Sequence, residues 1–357
     1  MSRFFSSKYD ALTPYTPGEQ PLDMKYVKLN TNELPYPPSP LAVQMASEEA
    51  KRLQLYSDPE CRSLKEAAAE ILGFAPEEMI FTNGSDDILN FAFMAFCNST
   101  HGAAFADITY GFYPVFAALN NVPYKIIPLR EDFTIDPAPY MKEHSTIFIA
   151  NPNAPTGIAL PLSDVEAIIS ADPDRIVVVD EAYVDFGGES ALPLIRRYDN
   201  LLVTQTFSKS RALAGGRLGV GFACPALIRD LETIRYSTNP YNINRMTMAA
   251  GVGALKDTAW FKQNVGKVAE TRRNTVPALE ALGFTVLPSS ANFVFAKHKE
   301  AGGEELYQKL KEKGILVRHF SVERIRDFLR ITIGTPEEME TLFKALSEIL
   351  AEQDWRK

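Results

Sequence analysis

The sequence predicts an α/β protein: a mainly parallel sheet sandwiched by helices in a large domain, followed by a smaller α+β domain. Five short apolar or β-branched segments, AAFADITY (103–110), PYKIIPL (123–129), STIFIA (145–150), DRIVVVD (174–180) and NLLVTQT (200–206), are mostly separated by stretches long enough for crossover helices. Continuous apolar strands of this kind belong to parallel sheets covered on both faces. Beyond residue 282 the pattern changes to FTVLPSSANFVFAK, GILVRHF and FLRITIG, with tighter turns between strands and helices. With 357 residues, 46% of them apolar and 23% charged, the chain can bury a large core.

Taken in order, residues 1–40 are rich in Pro, Thr and Asn, carry YPPSP at 36–40 and lack a helical or strand period, so they are expected to form an irregular arm. Helical patterns follow at about 41–54 and 62–72, and a third begins after NGSDD (83–87) and runs through ILNFAFMAF. The five strands and their crossovers come next, then a long amphipathic region at about 244–282. A helix at about 303–313 and a last one from Pro336 complete the small domain. The expected division is an arm at 1–40, a large domain at 41–255 and a small domain at 256–357.

A net charge of -8 argues against a nucleic-acid surface, which needs clustered positive potential. Cys61, Cys97 and Cys224 are an odd, scattered set with no disulfide framework, which points to a reducing compartment. The opening MSRFFSSKYDALTPYT has no apolar core of signal-peptide length, and no later run approaches the roughly 18 apolar residues of a membrane span. A cytoplasmic protein is expected, without membrane partners. His101, His144, His298 and His319 show no ligand spacing with the cysteines, so no metal site is assigned.

Ligands of open α/β sheets bind beyond the carboxyl ends of the strands. After STIFIA comes NPNAPTG (151–157), after DRIVVV come Asp180, Glu181, Ala182 and Tyr183, and after LLVTQT come Phe207, Ser208 and Lys209. Alone, each has an ordinary reading: the aspartate a turn, NPNAPTG a loop, the lysine a surface residue. Together they match what pyridoxal phosphate requires, a Schiff-base lysine and an acid that keeps the pyridine nitrogen protonated. A phosphate cup is the remaining requirement. It has two sources: the backbone N–H groups around Ser85 and Asp86 ahead of an apolar helix, and Thr206, Ser208 and Arg217 flanking the lysine.

TFSKSRALAGGRLGVGF, VVVDEAYVDF, NPNAPTG, TYGFY and RITIGT together resemble the fold-type I pyridoxal-phosphate aminotransferases, most closely the histidinol-phosphate aminotransferase family. The resemblance runs from LTPYTPG and KLNTNELPYPPSP near the start to FLRITIGT near the end. It implies that Lys209 is the Schiff-base lysine and proton shuttle, that Asp180 pairs with the pyridine nitrogen, that Tyr183 bonds the ring hydroxyl and that Tyr110 stacks on the ring. Ser85, Asp86, Thr206, Ser208 and Arg217 would hold the cofactor phosphate. Tyr56, in LQLYSDPE, matches a tyrosine that reaches the neighbouring subunit's cofactor phosphate, which implies a homodimer.

One position departs from the family pattern. The asparagine that commonly precedes PTG is here Ala154, and the adjacent Asn153 is the residue expected to substitute. Arg330 matches the arginine that binds the substrate's acidic group, and Arg318 lies close by in sequence. With the phenol of Tyr15 they suit a phosphate dianion, and the implied reaction is transamination between L-histidinol phosphate and a 2-oxo acid such as 2-oxoglutarate. An aromatic amino-acid aminotransferase and a threonine-phosphate decarboxylase on a similar scaffold are the alternatives. A non-catalytic cofactor-binding regulator would usually carry an added DNA-binding domain, for which there is no spare length or basic segment.

Overall fold

The computed structural model describes residues 2–10 and 12–352; Met1 and Ala11 of the expected arm and 353–357 of the expected small domain lie outside the described residues. Regular structure begins with a short strand, β1 (Val27–Lys28), followed by α1 (Pro40–Glu49), α2 (Arg62–Leu72), β2 (Met79–Thr82) and α3 (Ser85–Phe96). The alternating region comprises β3 (Ala103–Ala106), α4 (Tyr113–Leu119), β4 (Tyr124–Ile127), α5 (Pro137–Met141), β5 (Thr146–Ala150), α6 (Leu162–Ser170), β6 (Val177–Asp180), β7 (Leu201–Thr206) and β8 (Gly219–Ala223). Helices α7 (Pro225–Thr238), α8 (Arg245–Lys256) and α9 (Thr258–Ala281) lead to β9 (Phe284–Val286), β10 (Phe293–His298), α10 (Gly303–Glu312), β11 (Ile315–Leu316), β12 (Arg318–His319), β13 (Phe328–Thr332) and α11 (Pro336–Ala351).

The large sheet has the order β2-β8-β7-β6-β5-β3-β4. Strand β8 runs antiparallel to both its neighbours, and the five strands from β7 to β4 are parallel. In the middle of the sheet the apolar runs are continuous because both faces are covered: Val177 and Val179 pack into the core on one side, and Val178 packs into the core on the other, whereas the edge strand β4 leaves Tyr124, Lys125 and Ile126 exposed. Phe148 of β5 stacks on Phe93 of α3 with ring centroids 4.1 Å apart, so that helix is fixed against the middle of the sheet.

This arrangement puts β6 between β5 and β7, with Asp180 in register with Ala150 on one side and Thr204 on the other. The carboxyl ends of three adjacent strands therefore deliver NPNAPTG, Asp180 and Lys209 to one rim.

The four-stranded antiparallel sheet, β12-β13-β10-β9, packs with α9, α10 and α11 around a second core. The arm is not wholly irregular. Its β1 pairs in parallel with β11, and a short 3-10 turn spans Ser7–Tyr9. The amphipathic region at 244–282 resolves into two helices that break at Asp257, whose carboxylate caps α9 by accepting from Trp260 N and also accepts from Ser39 Oγ at 2.8 Å. Among the described residues no helix is long and apolar enough to cross a membrane.

Candidate active site

Lys209 lies in the loop after β7. Its Nζ donates to the carbonyl of Thr31 at 3.1 Å and stands 5.8 Å from the centre of the Tyr183 ring. Two cavities, of about 410 and about 400 Å³, meet there; Thr31, Tyr110, Ala154, Tyr183 and Lys209 line both.

The first cavity is bounded by the strand ends and α3. Asp180 closes its floor. The buried phenol of Tyr113 donates to Asp180 Oδ2 at 3.2 Å, and Thr204 Oγ1 and the Ala182 N–H each reach Oδ1 at 3.3 Å. Burial pushes the Asp180 carboxyl up to about 6, Asp86 adds to the rise, and the three donors oppose it. A cationic ring nitrogen would relieve that burial. Next to it, burial raises Glu181 to about 7 against donation from Ser190, Gln205 and the Ala191 N–H.

The opposite end of this cavity is built for an anion. The first turn of α3 presents Ser85 and Asp86, and Thr206 and Ser208 line the wall with their hydroxyls 3.0 Å apart. Arg217 Nη2 reaches Asp86 Oδ2 at 2.9 Å, and Tyr110 Oη donates to Asp86 Oδ1 at 2.7 Å. Space for the guanidinium comes from Gly84, which has φ +83 and whose missing Cβ would lie 2.5 Å from Arg217 Nη2. A lysine, a buried acid, a flat tyrosine-walled slot and an anion cup fit pyridoxal phosphate in size and donor chemistry.

In the second cavity the cations are Arg318 and Arg330. Arg330 lies over Phe293 and Phe320, 5.5 and 5.7 Å from their ring centres, and donates from Nη2 to Asn30 O at 2.8 Å. Its buried Nε has no hydrogen-bond partner among the described residues. Burial pulls its guanidinium down from the ordinary arginine range, and an anion beside it would offset that cost. Arg318 donates to Thr16 O and Pro17 O at 2.9 and 3.1 Å, which draws the arm across the cavity mouth. There the ring of Tyr15 stacks on Phe112 at 4.2 Å.

Residues 24–346 match the profile of the family described as aminotransferase class I and II. A histidinol-phosphate aminotransferase from Marinomonas sp. is 51% identical over 98% of this chain and 100% of its own length, and one from Brachyspira hyodysenteriae is 49% identical over 98% and 99%. The chain belongs to the histidinol-phosphate aminotransferase family. Among solved structures, the histidinol-phosphate aminotransferase of Sinorhizobium meliloti in complex with pyridoxal-5'-phosphate superposes with a TM-score of 0.88 at 25% identity, covering 99% of both chains. A threonine-phosphate decarboxylase from Porphyromonas gingivalis shares the fold, with a TM-score of 0.80 at 22% identity over 91% of this chain and 99% of its own.

Of the site residues expected for an aminotransferase of this family, Lys209, Asp180, Tyr183, Tyr110, Ser85, Asp86, Thr206, Ser208 and Arg217 line the first cavity, and Tyr15, Arg318 and Arg330 line the second. Asn153 is a correction. It is only 2% exposed and lines neither cavity; its Nδ2 donates to Ile108 O and Thr156 Oγ1, and its Oδ1 accepts from Thr109. Ala154 faces the cavities instead, so the amide does not replace the missing contact. Tyr56 lies outside both cavities, 81% exposed and stacked on Tyr241 at 4.6 Å.

Three contributors escaped the sequence reading. Tyr113 stands in the same TYGFY as Tyr110, three residues on, and Thr204 is the register partner of Asp180; a strand alignment could have found the threonine. Asn32, inside KLNTNELPYPPSP, donates to Tyr183 Oη at 3.0 Å. Only its contact across 151 residues gives it away.

Proposed function

We propose that this aminotransferase transfers the amino group of L-histidinol phosphate to 2-oxoglutarate, in histidine biosynthesis. The observation that carries the substrate is Arg330: a buried guanidinium with an unpartnered Nε, in the cavity that opens on Lys209. Arg318 and the phenol of Tyr15 on the same wall add the second charge and the extra donor that a phosphate dianion takes and a single carboxylate does not need. The relatives named as histidinol-phosphate aminotransferases, at 51% and 49% identity over nearly their whole length, support the same reading.

Pyridoxal phosphate, when bound, supplies the electron sink that makes the substrate's carbon–hydrogen bond acidic. Lys209, Asp180, Tyr183, Tyr110 and the anion cup of Ser85, Asp86, Thr206, Ser208 and Arg217 would hold it. Arg330, Arg318 and Tyr15 grip the phosphate and so turn the amine-bearing carbon toward the wall that both cavities share. Lys209 Nζ takes the proton from that carbon as general base and is held in reach by Thr31 O. Asp180 would pair as a carboxylate with the cofactor's ring nitrogen, and the arm, tied to Arg318, keeps water from the substrate.

We further place Tyr56 at the cofactor phosphate of a second copy, in a homodimer; its exposure beside Tyr241, outside this chain's own cavities, supports that assignment. The division into an arm (1–40), a large domain (41–255) and a small domain (256–357) belongs to the same reading, as does a reducing cytoplasmic setting, in which Cys61, Cys97 and Cys224 stay unpaired.

The test is Arg330→Ala, assayed with histidinol phosphate, phenylalanine and threonine phosphate in parallel. The expected result is a loss of about 3 kcal/mol of transition-state binding, roughly a hundredfold in kcat/KM for histidinol phosphate, with the visible cofactor band retained. Wild-type turnover of phenylalanine in preference to histidinol phosphate, or release of carbon dioxide from threonine phosphate, would overturn the substrate assignment.

A further inference from the structure

Three consecutive arm residues each touch one site residue. Asn30 O accepts from Arg330, Thr31 O accepts from Lys209, and Asn32 Nδ2 donates to Tyr183. The last contact has a direction that its neighbours dictate. Asn32 is 1% exposed and left-handed, with φ 57, and its peptide N–H meets Thr332 Oγ1 at 3.0 Å. A peptide N–H can only donate, so that hydroxyl oxygen accepts. Among the described residues Asn32 Oδ1, also 3.0 Å away, is the acceptor its single proton finds, and a flipped amide would leave that buried proton without one. The amide is thereby fixed with Oδ1 on Thr332 and Nδ2 on Tyr183, and Nδ2 has only protons to offer. The Tyr183 oxygen must accept, which leaves its own proton directed away from Asn32. No described residue accepts that proton, and Tyr183 lines both cavities.

We infer that Asn32 and Thr332 are positioning residues that orient the Tyr183 hydroxyl as a donor into the cofactor cavity. Because Thr332 sits on β13, Asn32 on the arm and Tyr183 after β6, the relay is complete only when the small sheet is seated against the large one. The inference rests on the reading of Tyr183 as the partner of the cofactor's ring oxygen.

A donor aimed at an oxyanion lowers its proton affinity, so losing the donor raises the pH at which the loaded enzyme's visible band changes. The ionisable groups sharing the cavities with Tyr183 are Lys209, Asp180, Asp86, Glu33, Tyr110, Tyr15, Asp107, Arg217, Arg318 and Arg330, and all are retained in the variants. Tyr183→Phe is the reference. Asn32→Asp replaces the donor by acceptors and tolerates the left-handed backbone; Lys209 and Arg330 favour its ionised form. Thr332→Val removes the directing hydroxyl at equal size, and Thr332→Ser restores it. The expected result is an upward move of the band's pH midpoint by about one unit in Tyr183→Phe, Asn32→Asp and Thr332→Val, with Thr332→Ser at the wild-type midpoint. If Tyr183→Phe moves the midpoint but Asn32→Asp and Thr332→Val do not, the relay is wrong and the tyrosine reading stands. If Tyr183→Phe does not move it, both fall. Melting of the apoproteins checks folding, and if Thr332→Val is unfolded, Thr332→Ala, which also removes the directing hydroxyl and adds no charge, takes its place.

Discussion

At the scale of single residues, the anion cup depends on an atom that is missing. Gly84 has φ +83, and a methyl group there would enter the space of the Arg217 guanidinium. Gly84→Ala is therefore expected to combine backbone strain of about 1–3 kcal/mol with a displaced arginine, and to weaken pyridoxal phosphate binding at least about tenfold; equilibrium titration of the apoprotein measures it. Lys209 and Asp180 stood out in the sequence because a charge at the end of an apolar run has few structural uses, whereas Arg330, in the middle of β13, stood out only through the family resemblance. Asn32 and Tyr113 did not, since an asparagine in a Pro-rich arm and a tyrosine in an aromatic cluster look like many others until the fold joins them to Tyr183 and Asp180. The expected role of Asn153 failed for a related reason. Adjacency in sequence says nothing of which of two neighbouring side chains a tight loop turns inward, and here the loop's own hydrogen bonds claim the asparagine.

At the scale of elements, the five parallel strands were legible from their short apolar or β-branched runs, and the two that complete the large sheet were not. Strand β8 carries Gly219 and Gly221, which give no side-chain period. The glycine has a steric cause. A Cβ at Gly219 would overlap the backbone N of Ser85, so the start of α3 can approach the sheet only over a bare Cα. Gly219→Ala should push the first turn of α3 outward, lowering stability by about 1–3 kcal/mol and weakening cofactor binding together; denaturant unfolding and cofactor titration on the same variant check that the two losses coincide. The single amphipathic stretch at 244–282 concealed a break because Asp257 caps a helix without interrupting the apolar pattern.

At the scale of the whole molecule, stability should depend on pH through the buried acids at the end of β6. Folding raises Asp180 to about 6 and Glu181 to about 7, above the ordinary carboxylate range. Both bind their protons more tightly in the folded chain, so their contribution is complete below the unfolded values near 4 and is lost as pH rises through about 6 and 7. The apoprotein should lose about 3 kcal/mol per group between about pH 4 and 7, and Glu181→Gln should remove its share of that slope; an unchanged slope would refute it. The proposed dimer is testable at the same scale: sedimentation is expected to give two copies for the unaltered protein and for Tyr56→Phe alike, with cofactor affinity lowered about tenfold in the variant. Other links cross the molecule within one chain. Arg324 joins the loop before β13 to Asp107 and to the carbonyls of Leu129 and Arg130, and Glu19 of the arm is gripped by Tyr307 and Lys311. The two cavities that meet at Lys209 have different parentage: strand ends of the large sheet supply most of one, and the arm and the stretch from Arg318 to Arg330 supply the cations and the lid of the other. Inheritance can therefore act on them separately. A chimera that takes those two stretches from a relative with another diet would exchange the menu and leave the kitchen untouched.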